Sequence, residues 1–307
     1  MGQIVKEKVF FPYIDTNGKY IIFLTDKGTK FAKINLVDQT KQTLIDQEIL
    51  GAQEIYYSPS GEKAIVISDY PEKNITLYNF SDKTSQKLNN KINKIQWSND
   101  ENFIYYSFFD KSTKEWQLNK ANYDGANWQT IHKTKIQSLG DNIPGFSISP
   151  DNKKAIIYSY TDRQSSSNNF IIELETQKAN QIDSKYQFKN VMWSPDNKKI
   201  AYLDKNDKLN IIDENMQINN NTEIKTTNYK ISWMNNDNII LAIPKIFGEL
   251  NGLYEDDICI LNTNNNQLNL INANDSQSIE DITYINYLNN TIYYISKFYL
   301  YGLKIAQ

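Results

Sequence analysis

The chain has 307 residues, with 33 Lys and Arg against 36 Asp and Glu and a net charge of -3, a balance that supplies no basic footprint for nucleic acid or an anionic membrane. A single cysteine (Cys259), a single histidine (His132) and a single arginine (Arg163) exclude a disulfide framework, a Cys- or multi-His-built metal centre and an arginine clamp. A chain of this length buries enough apolar surface to fold without a staple, and no cofactor is expected.

The apolar stretches are short, Ile239 to Ile243 being among the longest. None approaches a membrane span, and the N-terminus carries no signal-peptide core. What organises the chain is a repeat. Its looser first copy is Ile14-Asp-Thr-Asn-Gly18, followed by Tyr57-Ser-Pro-Ser-Gly61 and Trp97-Ser-Asn-Asp-Glu101. Ile148-Ser-Pro-Asp-Asn152, Trp193-Ser-Pro-Asp-Asn197, Trp233-Met-Asn-Asn-Asp237 and Tyr287-Leu-Asn-Asn290 complete the series. The spacings between these anchors are 43, 40, 51, 45, 40 and 54 residues.

Each phrase reads as a tight turn. Pro59, Pro150 and Pro195 preset φ, and Gly61, Asn152 and Asn197 tolerate the left-handed conformation that closes the turn. Apolar runs of strand length follow, such as Ala64 to Ser68, Ala155 to Ser159 and Ile200 to Leu203. Third strands are expected at Asn74 to Tyr78, Phe170 to Leu174 and Asp257 to Leu261, and a weaker fourth at Ser85 to Leu88. Four short strands per repeat of this length predict an all-β, seven-bladed β-propeller of four-stranded antiparallel blades, one domain over residues 1–307. The last repeat ends after three strands, and residues Gly2 to Lys6 are expected to supply its fourth.

The Trp/Tyr-Ser-Pro-Asp/Ser-Gly/Asn-x-Lys phrase resembles the repeat of TolB-like propellers, the WD-repeat-like Pro-Asp repeats. Glu101 stands where that pattern prefers Gly or Asn, which questions the turn of the third copy. The resemblance implies a binding module of the bacterial cell envelope. It places the chain outside the cytoplasm, in the periplasm or at the cell surface, with an export signal or anchor not included in it.

His132 falls in the outer strand of the third repeat, in Trp128-Gln-Thr-Ile-His-Lys133, and reads as a solvated rim residue rather than a general base. Cys259 lies in an apolar strand and reads as an inert buried thiol. Asp204-Lys-Asn-Asp207 is a fragment of an oxygen-rich calcium loop without its Gly and later Glu, and reads as a polar hairpin. The recurring aromatics Tyr57, Trp97, Trp193, Trp233 and Tyr287 read as inter-blade core.

The long spacings carry insertions at Lys133 to Gly145 and Pro244 to Asp256, with a milder one at Thr161 to Asn169. In the second, Ile246, Phe247, Leu250, Leu253 and Tyr254 either pack onto their own blade or form a partner-binding patch, with Glu249, Glu255 and Asp256 as its polar rim. The expectation is a non-enzymatic, monomeric platform for a protein or peptide, with no nucleic acid, no metal and no direct membrane insertion. The competing readings are a propeller hydrolase or lactonase with carboxylates at its channel mouth, or the sensing part of a membrane-anchored protein.

Overall fold

Seven antiparallel sheets follow one another in the computed structural model, which describes residues 2–25, 28–134, 144–159, 169–245, 255–271, 279–280 and 282–305. Blade one holds strands Phe10–Ile14, Tyr20–Leu24, Phe31–Asn35 and Lys41–Thr43, and blade two Ala52–Tyr57, Lys63–Ser68, Asn74–Asn79 and Thr84–Lys87. Blade three is Ile92–Trp97, Phe103–Asp110, Glu115–Asn122 and Gln129–Thr134; blade four is Gly145–Ile148, Lys154–Tyr158, Phe170–Glu173 and Ala179–Gln181. Blade five holds Asn190–Trp193, Lys199–Leu203, Lys208–Asp213 and Ile218–Lys225. Blade six holds Ile231–Trp233, Asn238–Pro244, Glu255–Asn262 and Leu268–Leu270, with Ile279–Glu280 pairing onto Glu255–Asn262. Blade seven is Ile282–Leu288, Thr291–Ser296 and Tyr299–Lys304 with Gly2–Gln3 added at its edge. The fold is the all-β, seven-bladed propeller expected from the repeat. Among the described residues the only helical segment is the single 3-10 turn Asn228–Lys230.

The chain divides into two compact units, residues 50–205 and residues 1–49 with 206–307. In the first, the repeated phrase does its work through a serine. Ser149 Oγ donates to Asp151 (2.6 Å) and accepts from the Lys154 N–H (2.8 Å). Ser194 repeats both bonds with Asp196 (2.7 Å) and Lys199 (2.9 Å), and Ser98 does so with Asp100 (2.5 Å) and Phe103 (3.0 Å). A hydroxyl that donates and accepts at once satisfies a turn's orphan backbone group and holds the Asp in place. The residue closing each turn then reaches back one blade. Asn152 Oδ1 accepts from the Asn99 N–H (3.3 Å) and Asn197 Oδ1 from the Asp151 N–H (3.1 Å).

Glu101 keeps this geometry despite being neither Gly nor Asn. Its φ is 59°, its N–H donates to the Ser98 carbonyl at 3.0 Å, and its carboxylate accepts from the Ser60 hydroxyl (2.9 Å) and the Ser60 N–H. Those bonds to the preceding turn offset the strain of a left-handed non-glycine residue.

Two of the aromatic anchors are inter-blade core. Trp97 and Trp193 are each 6% exposed. Both indole N–H groups donate to the first strand of the preceding blade, Trp97 to the Tyr56 carbonyl (2.9 Å) and Trp193 to that of Ser147 (3.2 Å). Tyr57, Trp233 and Tyr287 are only half-buried. Trp233 stands before a turn with no proline and no serine, closed instead by the Asn235 side chain accepting from the Asp237 and Asn238 N–H groups (both 2.9 Å).

In the second unit, the N-terminal residues close blade seven as expected, over a shorter stretch. Gly2 pairs with Gly302 and Gln3 with Tyr301, and the Ile4 N–H donates to the Leu300 carbonyl at 2.9 Å. Val5 and Val9 then bury against Ile295 and Leu300. The glycine at 302 lets Ile4 lie close over the strand: a Cβ there would meet Ile4 Cδ1 at 2.7 Å and push that side chain aside.

Candidate functional site

Blade three has the longest inner hairpin of its unit. Its strands Phe103–Asp110 and Glu115–Asn122 hold eight residues each, against six and four in the outer strands Asn74–Asn79 and Thr84–Lys87 of blade two. At about 3.4 Å per residue, eight residues reach about 25 Å and four only about 13 Å. Strand parity decides which residues meet the shorter neighbour. Ile104, Tyr106, Phe108 and Asp110 share one face with Ala121, Asn119 and Gln117, in the register Ile104↔Ala121, Tyr106↔Asn119 and Phe108↔Gln117. Ile104, Tyr106 and Ala121 pack with Ile65, Ile75, Leu77 and Trp97 of the shared core.

Beyond Ala121 the inward positions of the third strand turn polar, and there a cavity of about 510 Å3 opens. Its blade-three lining is Ile92, Tyr106, Phe108, Gln117 and Asn119; Leu88 and Asn89, in the connection from blade two, line it as well, and Trp128 flanks it, 63% exposed. The volume is that of a small-ligand pocket. Asp110 stands at one end of the strand Glu115–Asn122, paired with Glu115, and Asp124 lies just past the other end beside Gly125. The cavity therefore borders the Gln117–Asn119 part of the strand, with a carboxylate toward each end, and forms a groove there.

The groove's electrostatics are acceptor-rich. Asp110 accepts from the Ser112 hydroxyl (2.6 Å) and N–H (2.9 Å), which hold its carboxyl below the usual carboxylate range. Asp124 accepts from the Ala126 N–H at 2.9 Å. Gln117 Oε1 accepts from the Thr130 hydroxyl at 3.3 Å. Asn119 is 1% exposed, and its Oδ1 is buried without a hydrogen-bond partner. Lys87 is exposed at the rim. None of these residues stood out in the sequence. The available signal was the polar alternation of Gln117 and Asn119 in a strand whose neighbours are apolar, and a tryptophan, Trp128, outside the repeated phrase.

The residues singled out from sequence are placed elsewhere. Ile246, Phe247, Leu250, Leu253 and Tyr254 lie outside the described residues, as do Glu249 and most of the other two insertions. Asp256, expected on a polar rim, is fully buried instead. The hairpin ladder runs on through Pro244↔Asp256, so the strand carries this side chain into the blade. There its two oxygens each accept from Lys230 Nζ at 2.8 Å, and Oδ2 also from the Ile282 N–H at 2.8 Å.

His132 does lie in the outer strand of blade three, but it is half-buried rather than solvated. A register shift opposite Leu118 turns it with Ile131 toward blade four, where its ring packs on Phe170 (5.2 Å) and Nε2 is buried without a partner. Burial lowers its pKa. In an NMR titration its midpoint is expected below the 6.5 of a free histidine. The unfolded chain takes up a proton near that pH and the folded protein resists it, so this contribution to stability is complete above about 6.5 and is lost as pH falls. A midpoint above 6.5 contradicts the packing. Cys259 is buried as read, its thiol pushed up to about 11 by burial and by Asp257. Among the described residues, no three His, Cys, Asp or Glu side chains come together as a metal-binding group, and no helix is long and apolar enough to cross a membrane.

No protein-family model matches the sequence, and no curated protein matches it. Solved structures do resemble it. An oligogalacturonate lyase in complex with manganese superimposes with a TM-score of 0.64 at 11% identity, over 88% of this chain and 80% of that one. The β-propeller domain of Myceliophteria thermophila Cps50 (Swd1) gives 0.66 at 7% identity, over 100% and 99%. TolB from Acinetobacter baumannii gives 0.50 at 15% identity, over 90% of this chain and 65% of TolB. At these identities the likeness is one of fold alone: this seven-bladed β-propeller is consistent with a TolB-like propeller.

Proposed function

We propose that the chain is a non-enzymatic propeller that binds a protein or peptide and serves as an interaction platform of the bacterial cell envelope. The observation that carries this reading is the groove of blade three. It is walled by aromatic and amide side chains and flanked by the exposed Trp128, the kind of surface on which large aromatics anchor a partner. The groups best suited to nucleophilic or acid–base work near neutral pH are both withdrawn from it: His132 against Phe170 and Cys259 inside its strand. The cell-envelope setting rests on the resemblance of the Ser-Pro-Asp phrases to those of TolB-like repeats.

Selection of displayed random peptides on the purified protein tests this. The wild type is expected to enrich a peptide family, and Trp128→Ala, which truncates an exposed side chain, is expected to keep its fold while weakening those peptides by about tenfold or more. Enrichment indifferent to Trp128 moves the binding surface elsewhere. No enrichment at all defeats the platform reading.

A further inference from the structure

We infer that the groove of blade three selects a basic peptide segment, lying over its Gln117 and Asn119 wall with one lysine side chain toward Asp110 and another toward Asp124. The inference rests on the binding role proposed above and adds its chemistry. Three features converge on the same ligand. Asp110 and Asp124 place a carboxylate toward either end of the groove; the lysine that lines it, Lys87, is exposed and extends into solvent, and Lys73 is held by the Ile92 carbonyl (2.9 Å) and the Asn93 side chain (3.2 Å). Asn119 borders the groove midway, and its buried Oδ1 has no partner. Such an acceptor carries a desolvation cost, and a turn of the Asn119 side chain toward a ligand donor in the groove relieves it. Trp128 is exposed at the flank and Phe108 is half-buried in the lining, and aromatic π faces attract ammonium groups. Carboxylates, an unpaired acceptor and aromatic rings all favour N–H donors and positive charge. The length fits as well. The two carboxylates are separated by roughly the run of an eight-residue strand, about 25 Å, which an extended peptide of six or seven residues spans.

Fluorescence anisotropy with labelled Lys-Gly-Ser-Gly-Ser-Gly-Lys, and with the same peptide carrying norleucine for lysine, tests the charge. The lysine peptide is expected to bind about tenfold or more tightly than its counterpart, with an advantage that shrinks as salt is raised. Asp110→Asn with Asp124→Asn should erase that advantage, and Asp124→Asn alone should reduce it. Asn119→Leu should weaken the lysine peptide several-fold while leaving the melting temperature equal or higher, because it removes an unsatisfied buried group. A structural role alone would lower the melting temperature instead.

Equal binding of the two peptides, or an advantage that survives in the folded Asp variants, overturns the inference. Spermine competing at the peptide's own affinity assigns the groove to free polyamines and overturns the peptide as its occupant. Enriched display peptides without basic residues defeat the charge assignment and leave the platform standing, whereas absence of any enriched peptide defeats the platform itself.

Discussion

Asp256→Ala is expected to destabilise the protein by about 3–5 kcal/mol, the usual cost of stripping one partner from a buried ion pair. The side chains of Lys230 and Asp256 are 4% and 0% exposed, so the surviving ammonium would be left in the interior without compensation. Asp256 also joins three segments. It holds the 3-10 turn through Lys230, sits in the strand Glu255–Asn262, and fixes the start of blade seven through the Ile282 N–H. Urea denaturation measures the loss. The double variant Lys230→Met with Asp256→Leu should recover part of it, since an apolar pair of similar volume removes both desolvated charges while leaving the Ile282 N–H unpaired. A single-variant loss below about 1 kcal/mol, well under that range, would show that water reaches the pair.

Trp97→Ala and Trp193→Ala come next, each expected to cost about 3–5 kcal/mol through lost transfer free energy and the cavity left behind. Each indole fills the junction with the preceding blade and also ties its backbone, at Tyr56 and at Ser147. Phenylalanine at the same positions separates the two contributions. It keeps most of the packing and forfeits the hydrogen bond, so its cost should fall to about 1–2 kcal/mol with the carbonyl left unpaired. Trp233→Ala should cost less than either, because that indole is only half-buried. Equal losses at all three positions would contradict the exposure difference on which the ranking rests.

The local phrases carried the fold. A proline presetting φ, a residue tolerant of the left-handed region and a serine able to donate and accept are all local chemistry. They recur near positions 58, 149 and 194 with strands of readable length on either side. Closure of blade seven was legible for the same kind of reason: its last repeat lacked a strand, and Gly2–Gln3 supplies it.

The candidate site was not legible in this way. Gln117 and Asn119 are ordinary polar residues until the register with Phe108 and Tyr106 turns them inward, and the groove exists because blade two is shorter than blade three where they meet. Asp256 misled for the related reason that a charged residue beside an insertion suggests a rim, whereas one more rung of ladder, Pro244↔Asp256, brings it into the core beside Lys230. His132 was placed in its strand correctly, and only the register shift opposite Leu118 determined that it faces Phe170 instead of solvent. Turn and strand propensity act over a few adjacent residues and can be read from the chain. Which face of a strand is buried, and where neighbouring sheets fail to cover each other, depends on pairing between residues distant in sequence, and so belongs to the tertiary structure.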